Sequence, residues 1–266
     1  MIYILLTNFC FSLLVFFLIW VISVKIKDAS IVDILWGPSL AIPALLTWFR
    51  FDVTDPRALL ITALVTIWAT RLGLYLAIRN LGHGEDFRYQ KMRAKSGGDK
   101  KFAIQSLYGV YLLQCCVSFF VSLPVQVGQF GNHHIFGSDG SIGTLAKIGT
   151  ILFIIGISFE AIGDAQLRAF KKDTANQGKL MDKGLWGWTR HPNYFGDSVV
   201  WFALTLIALE SSYGYLTILS PFLMFVFLYF LSGKGLLERL MARKYPDYDD
   251  YKSRVSGFFP LPPKTK

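Results

Sequence analysis

Seven stretches of this chain run on with almost no charge, each close to the roughly 20 apolar residues that a helix needs to cross a bilayer. They are Tyr3–Val24, Ile31–Phe49, Ala58–Ile78, Ile104–Val127, Ile142–Gly163, Phe195–Leu209 and Tyr213–Leu231, the last two short. A soluble core has no use for so many unbroken greasy segments. In lipid every backbone N–H and C=O must be bonded within the fold, which restricts such segments to helices or a closed barrel. Their length selects helices. The expected fold is therefore an all-α integral membrane protein, a seven-transmembrane-helix bundle organised as a single membrane domain over residues 1–266.

Composition agrees where it bears on this point: 53% of the residues are hydrophobic and 16% aromatic, outside the range of ordinary soluble domains. The net charge of +9 could suggest nucleic acid, but the cations lie between the apolar runs and do not form one soluble basic face. Of the 27 Lys and Arg residues, only Arg50, Arg57, Arg71 and Lys147 fall outside one alternating set of connections and the C-terminal tail. Because Lys and Arg resist translocation, that asymmetry places the N-terminus outside and the tail in the cytoplasm. The membrane is a bacterial inner membrane or the endoplasmic reticulum.

The first apolar stretch lacks a positive leader and a small-residue cleavage site, so it is expected to stay as a span. Cys10, Cys115 and Cys116 sit in apolar runs without metal-site spacing and are expected to be packing residues. No metal is expected. Gly128–Ser141, rich in Gly, Asn and His, is expected to be a polar turn between spans four and five.

Chemistry concentrates in two places. At 100° per residue, Glu160, Asp164, Arg168 and Lys171 share one helix face where span five leaves the bilayer. An ion ladder explains the two cations, but carboxylates at the hydrocarbon edge are expensive and usually face a polar cavity. Next comes Gly184-Leu185-Trp186-Gly187-Trp188-Thr189-Arg190-His191-Pro192-Asn193-Tyr194-Phe195-Gly196-Asp197. Pro192 suits a first helical turn, so the amides beside Asn193 and Tyr194, with Arg190 and His191, make an anion-binding terminus. Asp197 would offset that dipole or accept hydrogen bonds. Trp186 and Trp188 read more simply as interfacial anchors. In the tail, Glu238 and Arg239 follow the last span, and Tyr251 and Arg254 belong either to a binding helix or to a basic amphipathic segment lying on anionic lipid.

Asp164, Gln166, Leu167 and Arg168, Asn176-x-Gly178-Lys179, Gly184-Leu185-Trp186, Arg190 to Gly196, Ser232-Gly233, Leu237-Glu238 and Tyr251 together resemble the steroid 5-alpha-reductase-like integral membrane family, in its small reductase-like subgroup of the DUF1295 type. Ser30 to Gly37 and Glu85 to Tyr89 also fit that subgroup. The resemblance implies cytoplasmic cofactor-binding loops within about residues 142–260 that hold NADPH. It also implies reduction of a carbon-carbon double bond in a lipid-like substrate, a steroid, sterol or other enone, entering from the bilayer. The implied NADPH-binding positions are Asp164, Arg168, Lys171, Asn176, Leu185, Arg190, His191, Asn193, Tyr194, Asp197, Glu238, Tyr251 and Arg254. A Rossmann reading fails for want of a GxGxxG loop.

Reductases of that family carry a Gln-Glu pair in the second helix, which this chain lacks. It offers Asp33 as a proton donor and Tyr75 as a carbonyl polariser, while an ion bridge from Asp33 to Arg71 is the structural alternative. Two other functions stay open. An S-adenosylmethionine-dependent methyltransferase of the isoprenylcysteine carboxyl type shares a similar Arg-His-Pro run and Glu-Arg tail. A non-catalytic lipid-binding protein would keep only the pocket.

Overall fold

The computed structural model describes residues 1–51, 55–130, 142–231 and 234–264. Most of the expected turn at Gly128–Ser141, and Ser232 and Gly233, lie outside the described residues. Among those described the fold is helical without strands, apart from one parallel bridge between Thr189 and Ser256. Five helical stretches are long and apolar enough to cross a membrane: Ile2–Ile26, Ile31–Arg50, Pro56–Asn80, Asp99–Val121 and Thr144–Lys172. The protein is thus a multi-pass helical membrane protein. The sixth and seventh expected spans correspond to shorter helices, Pro192–Ala208 and the apolar stretch Gly214–Phe230.

The chain forms two compact units. The first, Met1–Ala146 with Ile207–Thr217, contains α1 (Ile2–Ile26), α2 (Ile31–Phe51), α3 (Pro56–Asn80), α4 (Phe87–Ser96), α5 (Asp99–Ser106), α6 (Leu113–Val121) and α7 (Leu123–Val127). A π-helical stretch, Leu107–Leu112, joins α5 to α6 within one span. Helices α2 and α3 pack closely because their crossing residues are small: a Cβ on Gly37 would meet the Ala69 carbonyl oxygen at 2.8 Å. Phe16, Val32, Tyr89, Phe102, Tyr111 and Cys115 form a core from α1, α2, α4, α5, the π-helical stretch and α6.

Helix α2 contains Pro38 and Pro43, whose missing N–H groups leave helix carbonyls to be satisfied from outside the ladder. The carbonyls so freed are those of Ile34 and Ser39, while the Pro43 carbonyl itself draws two side-chain donors. Asn8 Nδ2 of α1 donates to the Pro43 carbonyl at 3.1 Å and to Gln126 Oε1 at 3.0 Å, and Thr47 Oγ1 also bonds that carbonyl. Arg57, read from sequence as a loop cation, is fully buried, with Asp55 at 3.2 Å and the Glu210 carbonyl oxygen at 3.0 Å. The Glu210 carboxylate accepts from the amides of Gly143 at 3.2 Å and Ala146 at 2.9 Å, serving as a cap that no local motif announces.

The second unit, Lys147–Leu206 with Ile218–Lys266, holds most of α8 (Thr144–Lys172) and α9 (Pro192–Ala208), together with α10 (Ser220–Val226), α11 (Lys234–Lys244) and α12 (Tyr248–Arg254). Helices α8 and α9 meet through glycine. A Cβ on Gly196 would lie 2.5 Å from the Gly156 carbonyl oxygen and 2.8 Å from the Glu160 amide nitrogen.

Candidate functional site

The loop from Gly184 to His191 is laid onto α8 by three contacts. Gln166 Oε1 accepts from the Leu185 amide at 3.0 Å, Trp186 Nε1 donates to the Gly163 carbonyl at 3.0 Å, and Gly163 leaves room for Pro192. Gly184 adopts φ +60°, and a Cβ there would run into the Gln166 amide, so both its backbone and its space demand glycine. Trp186 is therefore bonded into the fold by its indole. Trp188 remains 49% exposed, as an interfacial anchor would be.

The tail crosses this loop and is tied to it. The Arg190 amide donates to the Ser256 carbonyl at 2.9 Å, Thr189 Oγ1 to the Phe258 carbonyl at 2.8 Å, and the Leu261 amide to the Trp188 carbonyl at 3.0 Å. Tyr251 Oη donates to the Trp186 carbonyl at 2.6 Å. Phe258 closes the strap by packing on Phe195, Phe225 and Tyr229. Burial raises the Tyr251 phenol above its usual range and pushes that of Tyr248 up to about 12, so both stay neutral donors.

Arg190 is the buried centre of this arrangement. Its Nε and Nη2 reach Glu238 Oε1 at 3.0 and 2.9 Å, while Nη1 donates to the carbonyls of Val255 at 2.5 Å and Lys252 at 3.2 Å. His191 lies 3.4 Å from the same Glu238 oxygen and stacks on Tyr194 with the rings parallel, centroids 5.4 Å apart. Burial works against the charge of Glu238, but hydrogen bonds from His191 and Arg190 outweigh it and hold the carboxyl at about 2.

Around the start of α9, Asn193 Nδ2 donates to Asp164 Oδ1 at 3.3 Å. Asp164, Glu160 and Asp197 are all buried, so the acidic face of α8 and the second turn of α9 carry three buried carboxylates. Farther along α8, Arg168 and Lys171 are exposed. The structure thus joins Asp164 to Asn193, and Arg190 and His191 to Glu238. Other expected positions have local partners: Asn176 bonds the Phe170 carbonyl at 3.2 Å, and Arg254 pairs with Asp250 at 2.9 Å.

In the first unit, Asp33 accepts from Arg88 Nη2 at 2.6 Å and from Tyr89 Oη at 2.8 Å. The ion bridge anticipated with Arg71 thus runs to Arg88. Tyr75 lies between two guanidinium groups, Arg71 and Arg79, each 5.9 Å from its ring centroid. The partners of Asp33 come from the Glu85 to Tyr89 segment, which the sequence reading tied to the family and not to this carboxylate.

The chemistry of the second unit suits a dinucleotide in kind. Arg168 and Lys171 are exposed cations that a phosphate would neutralise, while Asp164, Glu160 and Asn193 offer groups for ribose hydroxyls or an amide. The Arg190 guanidinium is committed to Glu238 and two tail carbonyls.

The family described as "Protein of unknown function (DUF1295)" matches residues 19–255. An uncharacterised protein of Schizosaccharomyces pombe is 23% identical over 270 residues, an alignment covering 91% of this chain and 75% of that one. No solved structure matches the chain.

Proposed function

Since this chain belongs to the DUF1295 family, within the steroid 5-alpha-reductase-like group, we propose that it is an NADPH-dependent reductase of a carbon-carbon double bond in a lipid-like substrate. In this reading α9 and Gly214–Phe230 complete a seven-helix bundle, and the tail lies in the cytoplasm. The observation that carries the reading is the half-buried Asp164–Asn193 contact, with exposed Arg168 and Lys171 continuing the same helix.

NADPH, when bound, supplies the hydride. Arg168 and Lys171 would neutralise its phosphates, and Asp164 and Asn193 would hold ribose or carboxamide groups. Arg190 and His191 act by fixing Glu238 and the tail strap beside the start of α9. Tyr75 is the candidate for polarising a substrate carbonyl, and Asp33 for passing on to the substrate a proton that it takes up from solvent. The grip of Arg88 and Tyr89 on Asp33 gives that carboxylate a structural duty as well.

One observation favours a second reading, an S-adenosylmethionine-dependent methyltransferase. With Arg190 committed internally, fewer cations face a ligand, and a sulfonium cofactor needs fewer. Nucleotide preference tests the first reading. The purified protein in detergent is expected to bind NADPH more tightly than NADH, and the double variant Arg168→Ala, Lys171→Ala to lose most of that preference. Equal affinity of the wild type for both nucleotides would remove phosphate recognition, and with it the reductase reading.

A further inference from the structure

The segment joining α3 to α5 sorts its charges into two populations. Every carboxylate on it and on the neighbouring turn is engaged. Glu85 takes Arg93 through two nitrogens at 2.8 and 3.0 Å, Asp86 takes Arg88 at 2.9 Å, and Asp99 takes Lys27 at 2.8 Å and Arg93 at 3.2 Å. Asp28 is held by the amide and hydroxyl of Ser30. The arginines are consumed by this network, and Arg93 also covers the Phe102 ring at 4.3 Å. Lys91, Lys95, Lys100 and Lys101 are left exposed, and no carboxylate among the described residues pairs with them.

Helical spacing explains the sorting. On α4, Tyr89 and Arg93 are one turn apart and face inward, Tyr89 buried to 6% exposure. Phe87, Lys91 and Lys95 follow the opposite stripe at i, i+4 and i+8. Phe87 is 55% exposed, Met92 40% and, on the approach from α3, Leu81 61%. An exposed stripe of lysines mixed with large apolar side chains is built for a surface that is anionic and greasy at once.

We propose that this stripe, from Leu81 to Lys101, docks on the anionic phospholipid headgroups of the leaflet from which α3 and α5 emerge, with Phe87 and Met92 entering the headgroup layer and the four lysines pairing with phosphates. Charge complementarity selects the partner, since the carboxylates of this segment and the neighbouring turn are already held by arginines, Lys27 or the Ser30 amide and hydroxyl, leaving these four lysines to face outward. Chain continuity gives the location, because the segment is tethered on both sides to membrane-crossing helices. The surface belongs to the first unit and does not depend on the reductase reading.

The test is native mass spectrometry of the full chain released from nanodiscs containing phosphatidylglycerol and phosphatidylcholine in equal amounts. The wild type is expected to retain phosphatidylglycerol preferentially, and the preference to fall as salt is raised. The variant Lys91→Gln, Lys95→Gln, Lys100→Gln, Lys101→Gln is expected to lose roughly tenfold or more of it. A control, Lys179→Gln with Lys183→Gln in the loop after α8, both exposed, is expected to keep it. No preference in the wild type, an unchanged preference in the lysine variant, or an equal loss in the control would each overturn the proposal.

Discussion

At the scale of single residues, Arg190 differs most from what its motif suggests. An Arg-His-Pro run before a helix reads as an anion site, yet the guanidinium is spent on Glu238, Lys252 and Val255. Replacing it with alanine leaves a largely buried carboxylate with only His191 beside it and two carbonyls without their donor. Loss of one partner from such a pair costs about 3 kcal/mol or more, so Arg190→Ala is expected to lower the melting temperature and expose the tail to protease, while Arg168→Ala leaves both unchanged. Glu238 also has a pH signature. Its folded value of about 2 lies below the usual 4.5, so its contribution is complete above about 4.5 and disappears as pH falls toward 2. Melting curves between pH 7 and pH 3 should show the wild type losing stability in that window, and Glu238→Gln losing less. The motif residues were legible in sequence. Their partners were not, because Glu238 and the tail carbonyls lie 48 to 65 positions away and carry no local pattern.

At the scale of helices, apolar length identified five crossing stretches, the first three within two residues of their observed ends, since lipid leaves the backbone few alternatives. The ends moved where capping and packing decided. Helix α8 runs on to Lys172, well past the apolar limit at Gly163, because its Glu160–Lys171 face is polar and still helical. The α8–α9 crossing was hidden in sequence: Gly156 and Gly196 are ordinary glycines until both helices are placed, when each fills the space a side chain would need. Gly196→Val should therefore overpack that contact and cost about 1–3 kcal/mol, visible as a lower melting temperature. Gly109→Ala, where a Cβ would meet nothing within 4 Å, should be nearly silent.

At the scale of the whole molecule, the same rule recurs in each unit: polar groups that lipid cannot solvate are bonded to one another, and the charges left exposed are chiefly cations. In the first unit Asp33, Glu85 and Asp86 bind the segment after α3, and lysines remain outside. In the second, Arg190 and Glu238 bind the tail, and Arg168 and Lys171 remain exposed on α8. A basic exposed edge beside buried carboxylates is the reason to expect a phosphorylated nucleotide there. Calorimetric titration of the detergent-purified protein with NADPH and, separately, with S-adenosylmethionine tests this most directly. The account predicts saturable heat from NADPH and none from S-adenosylmethionine; the reverse result would contradict it.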